Sequence, residues 1–282
     1  MKLTENNKKR YNWLYNYYKT IDPLAKIETY ITDNKNKLNE IINNNSNWSD
    51  SSKHALYFMI YDNLKETDEK AAKKYYNLGI QTMKRIYKKE GENKQDQKEK
   101  ENYMKLNELS EIATHQKSKD SQISDKKMIL INLITLIPPL RTSFYTTSKI
   151  YNITDKPDKK ENYIKLSKKY EIILNVSKDK ISSRKGRTTI KHRNKKLYIL
   201  LENYMNKYNY IYLFGNSQID SKTLLRWLRN ITGREHITIN MIRSAHINEA
   251  YDNPEITINN KNDLADKMRH TAPTAALYYA KK

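Results

Sequence analysis

The sequence predicts a mainly α protein with one small antiparallel β-sheet, built as a helical N-terminal domain followed by an α+β domain. Three observations predict this. Apolar and aromatic residues recur at helical spacing in Tyr11–Tyr18, Ile27–Ile42, Ala55–Leu64 and Asp68–Lys88. The stretch Lys88–Asn102 (KKEGENKQDQKEKEN) has no large apolar residue to bury and reads as a linker or a solvated helix extension. Beyond it come short runs with strand character, Asn162–Leu166, Tyr170–Val176 and Arg187–Ile190, set among further helices. The expected domains are therefore residues 1–100 and 101–282.

The individual elements follow from local chemistry. Asn45–Ser52 is polar apart from Trp48 and offers several helix N-caps before Ala55–Leu64. Met128–Leu140 is the longest apolar run; it contains Asn132 and Thr135 and is too short to span a bilayer, so it reads as a buried helix. That helix should end near Leu136, because Pro138 and Pro139 cannot donate the backbone bond that another turn requires. Ser177–Gly186 is polar, basic and ends in glycine, as a hairpin loop between two strands would. Helices are expected at Leu197–Tyr208, Ser221–Ile231, Thr238–Tyr251, Leu264–Met268 and Pro273–Ala280, with Pro273 suited to a first turn. No internal repeat is visible.

The charge balance, 53 Lys+Arg against 32 Asp+Glu, is +21. Such an excess suits a phosphate backbone, which attracts a dense positive field and releases counterions on binding. Abundant Lys, Asn, Ile and Tyr also fit drift in an A/T-rich genome, as in a virus or mobile element. There is no cysteine, hence no disulfide, thiolate metal site or cysteine nucleophile. The start, MKLTENNKKRYNW, has no apolar stretch of a secretory signal, so an intracellular protein without membrane partners is expected. The histidines are scattered and no paired carboxylates stand beside the basic motifs, which argues against a metal-dependent nuclease. No cofactor is expected.

Chemistry-bearing residues begin at the end of the chain, in MRHTAPTAALYYAKK, where His270 precedes Tyr279 across a segment opened by Pro273. Tyr278 is its neighbour, about 100° away around a helix. Upstream, Asn240-Met241-Ile242-Arg243-Ser244-Ala245-His246 opens a helix after Thr238. In LITLIPPLRTSFY, Arg141 follows a proline corner, where a plain helix-capping arginine would also stand. Between the two lies the basic loop with Lys178, Lys180 and Lys185.

These segments, in this order, resemble the tyrosine recombinase (phage integrase) family. Met268-Arg269-His270 stands where the family has Leu-Gly-His, Asn240-x-x-Arg243 stands for His-x-x-Arg, and Arg141 for the first arginine box. ENYMKLNELSEI, at 101–112, resembles the segment that opens the family's catalytic domain. The motifs cover residues 103–282; the N-terminal helices match only in general character the domain that clamps DNA. The departures are Arg269 for glycine and Asn240 for histidine; an asparagine can donate to a phosphate oxygen but cannot exchange protons near neutrality.

The resemblance implies a site-specific recombinase or integrase acting on double-stranded DNA through a 3′-phosphotyrosyl intermediate, without metal or ATP. Tyr279 would be the nucleophile, Arg141 and Arg243 the phosphate clamps, His270 a further donor and Asn240 a positioning group. The general acid would be Lys178 first, with Lys180 and Lys185 open. Assembly as a tetramer on DNA is implied, in whichever compartment holds the target (host cytoplasm or nucleus, if viral). Only Ala280, Lys281 and Lys282 follow Tyr279 in this sequence. Subunits would then couple through a native extension or through other surfaces such as the N-terminal helices. A type IB topoisomerase-like relaxing enzyme and a non-catalytic DNA-binding relic are the alternatives.

Overall fold

The computed structural model describes residues 5–91, 95, 97–116, 121–177, 186–271 and 274–275. The chain divides into two compact units, Met1–Glu92 and Asn93–Lys282.

Among its described residues the first unit holds five helices: α1 (Glu5–Lys19), α2 (Tyr30–Asp33), α3 (Lys37–Asn44), α4 (Asp50–Leu64) and α5 (Glu69–Gly91). The expected continuous helix over Ile27–Ile42 is two short ones. Asn34 and Asn36 fall at the break, a residue type whose side chain competes with helical backbone bonds. Ser49 caps α4, its Oγ accepting from the Ser52 amide at 3.2 Å. Tyrosines fill this core, and two of them keep their hydroxyls bonded: Tyr30 donates to the Tyr11 carbonyl at 2.9 Å, and Tyr75 donates to the Lys35 carbonyl. Burial holds both phenols well above their ordinary pKa. Helices α4 and α5 meet so closely that a Cβ on Gly79 would lie 2.4 Å from the Phe58 ring, which explains the glycine there.

The second unit contains α6 (Gln97–Asn102), α7 (Leu106–His115), α8 (Gln122–Leu136) and α9 (Thr142–Thr147), then β1 (Lys149–Tyr151), β2 (Tyr163–Ser167), β3 (Glu171–Val176) and β4 (Thr188–Arg193). It closes with α10 (Lys195–Tyr208), α11 (Ser221–Thr232), α12 (Ile239–Asp252) and α13 (Ile258–Lys267). The strands form one sheet in the order β1-β2-β3-β4. This corrects the expectation of a purely antiparallel sheet: β1 runs parallel to β2, pairing Lys149 with Tyr163, so the sheet is mixed. With three residues, β1 is too short for alternation to announce it. Strand β4 runs on to Arg193 because buried Ile190 and His192 alternate with exposed Lys191 and Arg193.

Helix α8 is the centre of this core. Ile129, Leu130, Ile131, Leu133 and Ile134 are all buried, as in a helix enclosed on every side. Its end obeys the proline pair: Ile137 takes φ −136° and ψ 152°, the extended backbone imposed on a residue that precedes proline. Among the described residues no helix is long and apolar enough to cross a membrane.

Candidate functional site

The proline corner presents Arg141. Leaving α8, the chain turns through Pro138 and Pro139, and the Leu140 amide donates to the Tyr145 hydroxyl at 2.9 Å. Tyr145 is buried on α9, so this bond fixes the residue immediately before Arg141. Burial raises the phenol's pKa well above normal, which keeps its proton. Arg141 therefore stands at the N-cap of a new helix rather than capping the end of α8. It is half-buried, and its Nε is enclosed without a hydrogen-bond partner among the described residues. A buried guanidinium donor left unmade costs about 1–3 kcal/mol, which an incoming anion would recover.

Arg243 is fully buried on α12 and joins two distant segments. Its Nη1 donates to the Pro139 carbonyl at 3.1 Å, across 104 residues of chain. Its Nη2 donates to the Met268 carbonyl at 2.9 Å, across 25 residues. One guanidinium thus holds the corner that presents Arg141 to the turn that carries His270. A guanidinium has five donors, so these two carbonyls do not exhaust it.

The turn at Met268-Arg269-His270 is a helix C-cap with a specific hydrogen-bond pattern. The Arg269 amide donates to the Asp266 carbonyl and the His270 amide to the Ala265 carbonyl, both at 2.9 Å, and Arg269 takes φ 58°. This is the Schellman arrangement that ends α13, with Arg269 in the left-handed position normally given to glycine. The cap buries His270 at 4% exposure. In the sequence Arg269 stands only as a departure from the motif's glycine, with no role of its own. The signal was present: a position where a motif wants glycine, at a helix end, is one that needs positive φ. Arg269 is itself buried at 2% exposure, with Nη2 donating to the Gly186 carbonyl at 2.9 Å and Nη1 donating to Thr188 Oγ1. The start of β4 is thereby tied to the same turn.

The remaining expected residues are placed as follows. Asn240 lies exposed in the first turn of α12, and its side chain makes no hydrogen bond among the described residues. Lys178, Lys180 and Lys185 lie outside the described residues, as do Pro273, Tyr278 and Tyr279. The segment leading to Tyr279 is described at Thr274 and Ala275: both are helical, and Ala275 is buried with Ile247, Ala265 and Met268 of the α12–α13 region.

Two further histidines of this unit are buried. His246 is buried on α12 and its Nε2 lies 2.9 Å from the Ile134 carbonyl, so that nitrogen must carry the proton and donate. Burial pushes its pKa down to about 4, with Arg243 adding to the effect. His192 on β4 is also pushed down to about 4, first by burial and then by Lys267 of α13, against a smaller opposing effect of Asp263. Both stay neutral at physiological pH.

A different surface of this unit carries exposed charge. Helix α11 buries Leu224, Trp227 and Leu228 and leaves Lys222, Arg226 and Arg229 exposed at i, i+4 and i+7, along one face. No family model, curated protein or solved structure matches the chain.

Proposed function

We propose that this chain is a site-specific DNA recombinase of the tyrosine recombinase type. The observation that carries the reading is the pair of hydrogen bonds from Arg243 to the Pro139 and Met268 carbonyls. It gathers, in one unit, the three segments that hold Arg141, Arg243 and His270. The chemistry that would follow is phosphoryl transfer. The Tyr279 phenol gives up its proton to solvent as its oxygen attacks the phosphorus, the bond from phosphorus to the 5′-oxygen breaks, and the 3′-phosphate remains on the tyrosine. Negative charge grows on the two non-bridging oxygens, which Arg141, Arg243 and His270 would receive as donors. The leaving 5′-oxygen takes a proton from a lysine of the Ser177–Gly186 stretch. Because the phosphotyrosyl bond conserves the free energy of the phosphodiester, attack by another strand's 5′-hydroxyl restores DNA without ATP.

The enclosed Nε of Arg141, with no acceptor among the described residues, supports an anion at this place. The +21 charge and the basic face of α11 support duplex DNA as the partner. Assembly as a tetramer on the target, in the compartment that holds it, completes the reading. Its test is strand transfer: a plasmid pair sharing the target should yield recombinants, whereas relaxation of any supercoiled plasmid without exchange would favour a type IB topoisomerase-like enzyme.

One observation favours a second reading, a DNA-binding protein that cleaves nothing. Arg243 is wholly enclosed and two of its bonds go to backbone carbonyls, which is how a purely structural arginine behaves. Normal affinity for the target with no covalent intermediate would select it.

A further inference from the structure

Arg269 is the anomaly of this region. A left-handed backbone is unfavourable for an L-residue, and the motif it occupies ordinarily avoids that cost with glycine. Arg269 is held there nonetheless at φ 58°, fully enclosed, with its guanidinium forked onto Gly186 and Thr188. Such a conformation persists only where the surroundings fix it. The fork crosses 81 and 83 residues to reach the strand end where β4 begins. On the other side of the same turn, Arg243 holds Met268 and the next residue is His270. Glycine at 269 would make the same cap with less strain, so the guanidinium is what this chain gains.

We infer that Arg269 is a positioning residue: it registers the Gly186–Thr188 strand end against the His270 turn, so that leaving-group protonation is aligned with the phosphate clamp. The inference rests on the recombinase reading. It does not place Arg269 on the substrate. The step it serves is proton delivery to the 5′-oxygen as the bond from phosphorus to that oxygen breaks and the bond to the tyrosine oxygen forms. A 5′-sulfur in the same bridging position leaves as a thiolate and needs no such proton, so the two substrates separate alignment of the acid from every other role.

The experiment uses the full chain and a duplex recovered by covalent attachment to the wild type from a randomised pool of nicked duplexes. That duplex is resynthesised with oxygen or sulfur at the bridging position. Arg269→Gly keeps the left-handed cap and removes the guanidinium. Cleavage of the oxygen substrate should slow roughly 10- to 100-fold, a part of the roughly 10²- to 10⁴-fold that a general acid contributes, while the sulfur substrate stays within about 3-fold of wild type. Thr188→Val, which removes one acceptor without changing shape, should show the same selectivity to a smaller degree. Unchanged rates, or equal slowing on both substrates, overturn the inference and leave the recombinase reading standing. If the wild type attaches to no duplex, both fall.

Discussion

The Arg243 guanidinium donates to the Pro139 carbonyl at 3.1 Å, two residues before Arg141. The same group reaches Met268, two residues before His270. A single buried side chain therefore ties the three segments together. The two arginines should therefore differ in what their removal does to stability.

Arg243→Ala strips a donor from each of two carbonyls and empties the volume of a fully buried side chain. It should destabilise the second unit by about 2–5 kcal/mol, read as a lower urea midpoint. Arg141→Ala removes a half-buried group whose Nε holds no partner among the described residues, so the loss should stay under about 1 kcal/mol. Its cleavage rate should nonetheless fall by about 100-fold or more, as for removal of a donor that meets charge developing in the transition state. A large stability loss with unaltered cleavage in Arg141→Ala would contradict this division.

Stability should depend on pH through His192 and His246. Both have folded pKa values of about 4 against an ordinary 6.5, so between those limits the unfolded chain binds more protons. Stability is then full above pH 6.5 and falls as pH drops towards 4, by up to roughly 3 kcal/mol for each imidazole. Denaturation midpoints at pH 7.5 and 5.0 check this. His246→Gln, whose amide can still donate to Ile134, should remove part of the slope; an unchanged slope in both His246→Gln and His192→Gln would contradict it.

The sequence made the helical character legible, and the proline corner in particular, because Pro138 and Pro139 act through their own covalent structure. Strand β1 was not legible: a three-residue segment gets its pairing from Tyr163, Ile164 and Lys165, which only the tertiary fold brings alongside. The mixed sheet follows from that omission. Within the site, residue types and order could be read, but the roles of Arg243 and Arg269 as ties between segments could not. Those roles depend on which carbonyls lie within reach, at sequence separations from 25 to 104 residues. Asn240 shows the converse: its motif position was legible, but its exposure on the helix surface was not.

The basic face of α11 should carry sequence-independent DNA affinity. Arg226→Ala with Arg229→Ala should weaken duplex binding and flatten the dependence of log K on log salt by about 0.9 for each phosphate no longer neutralised. Titrations at several salt concentrations measure this, with wild-type cleavage per bound complex as the control. An unchanged salt slope would remove α11 from the interface.

The recombinase reading requires that a tyrosine of this chain become covalently joined to a DNA 3′-phosphate, and that the tyrosine be Tyr279. The deciding measurement incubates a pool of nicked duplexes with wild type, Tyr279→Phe and Tyr278→Phe and resolves the products on a denaturing gel. A protein–DNA band is expected for wild type and Tyr278→Phe and none for Tyr279→Phe. A band that persists in Tyr279→Phe would contradict the nucleophile, and no band from the wild type would contradict the strand-cleaving function itself.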